Sequence, residues 1–111
     1  MKLLREITTN TFTHNGEEYS LTKLNKLVKG SKVDSIKLKD LEWIFKYDNP
    51  LIDTPERIKT ANINVPILVT MSQGKLVVLD GLHRLGKAKI EGKNVLPGIM
   101  VNKEQLKGAK L

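Results

Sequence analysis

The chain alternates short apolar runs with polar breaks, and the spacing of those runs predicts a string of small elements. Residues 6–19 are rich in β-branched side chains around Asn15-Gly16, the pattern of a β-hairpin. Leucines at 21, 24 and 27 follow Ser20 at helical spacing, with Gly30 as the stop. A brief strand, VDSIKL, covers 33–38. Asp40 is then placed to cap a helix through LEWIFKY, whose apolar face is Leu41, Ile44 and Phe45. Asn49-Pro50 ends it. Asp53, Pro55 and Glu56 form a capping-box pattern for another short helix.

The second half is more strongly patterned. Two apolar runs, 65–71 and 76–79, flank Ser72–Lys75 and predict antiparallel neighbours joined by a tight turn. Asp80 and Gly81 break the second run. Leu82, Leu85 and Ala88 then mark one face of a helix that Gly92 ends. Residues 95–101 give a last strand, with a break expected at Pro97-Gly98. The tail NKEQLKGAKL reads as polar, weakly helical and prone to fray. The fold class is α/β (α+β): a small domain with a mixed, curved sheet flanked by short helices and an N-terminal hairpin. The hairpin and first helix, 1–32, are read as part of the same domain as the core, 33–102, with 103–111 as the tail.

Composition narrows the function classes. The chain has 111 residues and no cysteine, which removes disulfide scaffolds, thiolate metal sites and cysteine catalysis. No signal peptide or membrane span is read, so a cytoplasmic location without membrane association is expected. The net charge of +7 is one-sided. Residues 1–56 hold nine basic and nine acidic residues, whereas 57–111 hold ten and three. The excess falls in the half with the glycine turn, and such a field concentrates anions, nucleotides and DNA included.

Candidate chemistry gathers at Asp80–Lys87. A strand, a glycine turn and a helix start carrying His83 and Arg84 make a site for phosphate, because the free amides of a first helical turn point outward. Gly81 is expected to need a backbone form, or a close approach, that a Cβ would block. Arg84 offers a planar fork of donors, or else a structural salt bridge to Asp53 or Asp80. His83 could donate to phosphate or act as an acid or base; the plainer role is capping or packing. Asp80 beside phosphate would have to carry Mg²⁺, act as a base, or pair with Arg84 or Arg57. Arg57 and Thr60 share a helix face, and Lys87 extends the basic wall.

The run from Ser35 to Val101 resembles the ParB/sulfiredoxin superfamily. The resemblance rests on SIKLKDL, Asp53 with Arg57, the strand Val65-Pro66-Ile67-Leu68-Val69, Gln73-Gly74, and Asp80-Gly81-Leu82-His83-Arg84. It implies a nucleotide site, for ATP, ADP or CTP with Mg²⁺, built from Arg57, Thr60, Gly81, Leu82, His83, Arg84 and Lys87. Asp80 and His83 are then the catalytic candidates, with Asp80 also the metal ligand. Leu82 stands where ParB has a glutamate and sulfiredoxin a cysteine. ParB-type clamp chemistry and sulfiredoxin activity are therefore not implied. The nearest motif, D-G-x-H-R, is that of the free-serine-kinase branch and of short relatives from phages and mobile elements.

Three functions follow as expectations. The first is a nucleotide-binding protein with phosphotransferase or hydrolase activity, whose further acid or base would be Glu42, Asp53 or Asp80. The second is a ParB-like DNA-associated protein or nuclease. The third is a non-enzymatic adaptor. The sequence sets no oligomeric state, and a homodimer is compatible with it.

Overall fold

The computed structural model describes residues 11–47 and 55–111. The protein is a mixed α/β chain that divides into two compact units, Met1–Ser31 with Val101–Leu111, and Lys32–Met100. The capping pattern predicted at Asp53 lies outside the described residues.

In the first unit, β1 (Thr11–His14) and β2 (Glu17–Ser20) pair antiparallel across the Asn15-Gly16 turn. Phe12 stacks on Tyr19 with ring centroids 5.3 Å apart. Helix α1 (Leu21–Val28) starts where predicted, with the Ser20 hydroxyl accepting from the Lys23 amide at 3.1 Å.

The tail does not fray. Helix α5 (Lys103–Gly108) opens on a full capping box: the Gln105 amide donates to Asn102 Oδ1 at 2.8 Å, and the Asn102 amide to Gln105 Oε1 at 3.0 Å. Beyond it the backbone runs along β2. The Ser20 amide donates to the Ala109 carbonyl at 2.8 Å, and the Leu111 amide to the Glu18 carbonyl at 3.0 Å. Both ends of the segment are thus satisfied, which the polar composition concealed.

The second unit holds a four-stranded sheet in the order β3-β6-β4-β5, with β3 (Asp34–Lys37), β4 (Ile67–Ser72), β5 (Lys75–Asp80) and β6 (Val95–Met100). Strands β3 and β6 pair antiparallel, as do β4 and β5, while β6 and β4 run parallel. The hairpin predicted across Ser72–Lys75 is present. Its register shifts near the end, where Leu68 faces Asp80 and Val69 faces Val78. Leu79 is therefore the extra residue of a bulge, which re-aims the chain into Asp80 and Gly81.

Two local expectations are corrected. Strand β6 does not break at Pro97-Gly98. The parallel ladder with β4 begins at Gly98, so the missing Pro97 N–H falls before it. Gly98 is needed for close approach, because a Cβ there would lie 2.5 Å from Ile36 Cγ1. Nor does Asp40 cap a helix through residues 41–47. A 3-10 turn, Leu38–Leu41, is followed by a single helical turn, α2 (Ile44–Tyr47). The Leu38 amide still donates to Asn94 O at 2.9 Å, as an extension of the strand. The tighter period then buries Leu38 and Leu41 three residues apart.

Helix α3 (Pro55–Thr60) precedes β4, and helix α4 (Leu82–Ile90) follows β5. Leu85 and Ala88 of α4 pack with Ile36, Ile67, Val69 and Leu96 in one core, with Leu82 against its edge. Trp43 also leans on this core, and its Nε1 donates to Leu76 O at 3.0 Å. That bond covers part of the exposed edge of β5.

Candidate functional site

The site begins with Gly81. Its φ of 109° is one that side chains rarely adopt, and an added Cβ would lie 2.4 Å from Ile67 Cγ2. The glycine therefore brings the start of α4 directly against β4. Its carbonyl accepts the Leu85 amide at 3.0 Å as the first bond of the helix, and it supplies no side-chain cap. The first amides of α4 have no acceptor within the helix, and Gly81, His83 and Arg84 at its start line the cleft beside it.

That cleft has a volume of about 400 Å³, the scale of a small-molecule site. It is lined by Arg57, Thr60, Ala61, Asn62, Val65, Asp80, Gly81, His83 and Arg84. Six of the residues singled out in the sequence, Arg57, Thr60, Asp80, Gly81, His83 and Arg84, thus lie together although up to 27 positions separate them. Leu82 and Lys87 are not among its walls. Leu82 points its side chain to the core instead. Lys87 donates to the carbonyls of Lys59 at 3.1 Å and Ala61 at 2.8 Å, where it serves the C-terminal end of α3.

Arg84 is engaged in the same manner. Its Nη1 donates to Val65 O at 3.1 Å and Pro66 O at 2.6 Å. Its Nη2 lies 3.5 Å from Asp80 Oδ2, with the Arg84 side chain 17% exposed. The basic flank of α4 is therefore a clamp on the 59–66 segment. Of the roles open to Asp80 in the sequence, pairing with Arg84 is the one present. By contrast, the Arg57 side chain is exposed and has no ion-pair partner among the described residues.

Thr60 also departs from expectation. Its hydroxyl is within reach of two helix carbonyls, Glu56 O at 3.3 Å and Arg57 O at 3.4 Å. With its proton on either, it presents lone pairs, not a donor, to the cleft.

Asn62 escaped the sequence reading. Its Oδ1 accepts the Asn64 amide at 3.0 Å, and its carbonyl accepts the Val65 amide at 3.1 Å. The signal was present as Asn62-Ile63-Asn64, an Asx-turn pattern between a helix and a strand.

Of the other acid–base candidates, Glu42 pairs with Lys89 at 2.9 Å, and Asp53 lies outside the described residues. Among the described residues no group of three or more His, Asp or Glu side chains could hold a metal. No helix among them is long and apolar enough to cross a membrane. A larger groove of about 470 Å³ lies at the other end of β4 and β5, between Trp43, Met71 and Lys75. None of the sequence-predicted site residues lines it. Comparison with protein-family models, with curated proteins and with solved structures returned no match to this chain.

Proposed function

We propose that this chain is a ParB/sulfiredoxin-like phosphate-binding protein that holds a nucleotide in the Asp80–Arg84 cleft. The observation that carries the reading is the convergence on one cleft of Arg57, which has no ion-pair partner among the described residues, of the His83 position, and of the start of α4, whose N-cap glycine supplies no side-chain cap. Cationic side chains, backbone donors and the positive end of a helix dipole all favour an anion there. The basic excess of residues 57–111 draws such ligands in. Arg84 holds the wall in shape, while Arg57 contacts the phosphate.

Asp80 is the carboxylate beside the bound phosphate. A Mg²⁺ ion arriving with a nucleotide would have Asp80 as its protein ligand, which fits an ion usually held by one or two carboxylates and phosphate oxygens. Its chemistry would be neutralisation of phosphate charge. Asp80 and His83 remain the proposed acid–base groups for any phosphoryl transfer or hydrolysis.

Isothermal titration calorimetry with ATP, ADP, CTP and GTP, each with and without Mg²⁺, tests the reading. The expected result is saturable micromolar binding of at least one nucleotide. Arg57→Ala should weaken it by about 1.5–3 kcal/mol, the range of a charge-assisted hydrogen bond, with an unchanged melting temperature. Salt-sensitive DNA binding without nucleotide binding would overturn it.

A further inference from the structure

We infer that Asn62 is a ligand-binding donor of the cleft, with its side-chain amide directed at a phosphate oxygen. The inference deepens the proposed function and rests on it.

The side chain has two ends with different assignments. Oδ1 is committed to the Asn64 amide at 3.0 Å. Nδ2 has no partner among the described residues. Oδ1 keeps one lone pair, and the wholly open end of the side chain is its donor end.

Its backbone is also well held. The Asn62 carbonyl accepts from Val65 at 3.1 Å. On one side Lys87 grips the Ala61 carbonyl at 2.8 Å, and on the other Arg84 grips the Val65 and Pro66 carbonyls. The loop is therefore clamped at both ends by cations of α4. A donor on a clamped loop loses little freedom when it meets a ligand, which is the condition for a specific contact.

The chemistry of the neighbours sets what it meets. Asn62 lines the cleft together with Arg57 and with Gly81 and His83 at the start of α4. Of the acceptors in the cleft, Thr60 Oγ1 is engaged with the carbonyls of its own helix and the Asp80 carboxylate with Arg84. A phosphate group between Arg57 and α4 places an oxygen toward Asn62. The site then selects ligands that present an acceptor there and disfavours those that present an ammonium.

Calorimetry with two probes, ATP and inorganic pyrophosphate, tests this on the full chain. Asn62→Ser keeps a neutral acceptor for the Asn64 amide and replaces the carboxamide NH2 by a single, shorter-reaching hydroxyl. It should weaken both probes about tenfold at an unchanged melting temperature. Equal affinity in wild type and Asn62→Ser overturns the inference while leaving the proposed function intact. A loss for ATP but not pyrophosphate overturns the assignment to phosphate. No binding to the wild type overturns both readings. If Asn62→Ser melts lower, titration in the cold, well below both melting temperatures, decides the matter. A loss of affinity that persists there supports the inference, and equal affinity overturns it.

Discussion

Gly81→Ala should cost the protein about 3 kcal/mol or more. Two effects add at this position. The added Cβ would overlap Ile67, a fully buried residue, at 2.4 Å from Cγ2 and 2.8 Å from Cβ. Overpacking of this kind costs about 1–3 kcal/mol, because the core around it has no space to yield. The φ of 109° adds strain of about 1–3 kcal/mol. Gly74→Ala is the matched control: its φ is 80°, with nothing within 4 Å of an added Cβ. It should show the backbone strain alone, about 1–2 kcal/mol. Urea denaturation of both variants separates steric overlap from strain. Equal losses would mean that the close approach of α4 to β4 is not tight.

Arg84→Lys should be nearly as damaging, about 2 kcal/mol, although it conserves charge. The guanidinium serves the Val65 and Pro66 carbonyls and the Asp80 carboxylate at once, and an ammonium cannot reproduce that fork. At least one half-buried carbonyl then loses its donor, at a cost of about 1–3 kcal/mol. The loss should appear without any ligand, as a lower melting temperature, by roughly 4–8 °C per kcal/mol for a chain this size. An unchanged melting temperature with weakened nucleotide binding would show that Arg84 serves the ligand and not the wall.

These two positions also show how far the sequence could be read. The need for glycine at 81 was legible, since a buried strand ending in Asp-Gly before a basic helix start leaves few other conformations. The Asn15-Gly16 and Gln73-Gly74 hairpins were legible for the same local reason. Arg84 was legible only in part. Its pairing with Asp80 was among the roles read for it, but its other partners are carbonyls 18 and 19 residues away, and nothing in a linear pattern marks a carbonyl as needing a donor. Lys87 was misread as part of the basic wall for that reason too. Pro97 misled because proline usually ends strands, and only the sheet order reveals that the β4 ladder starts one residue later. The capping box at Asn102 and Gln105 was written in the sequence as N-x-x-Q, but the lysines around it drew the reading toward a frayed tail.

The central claim is that the cleft at the start of α4 takes a phosphate-bearing ligand. The most direct measurement is a ¹H–¹⁵N correlation titration of the labelled chain with ATP, with and without Mg²⁺. Backbone amides of Leu82, His83 and Arg84, with those of Arg57 to Asn62, should shift together and saturate. The indole Nε1–H of Trp43, the single tryptophan of the chain, lies at the other groove and should stay in place. Shifts centred on Trp43, Met71 and Lys75 with a silent cleft, or no saturable shifts at all, would contradict the account.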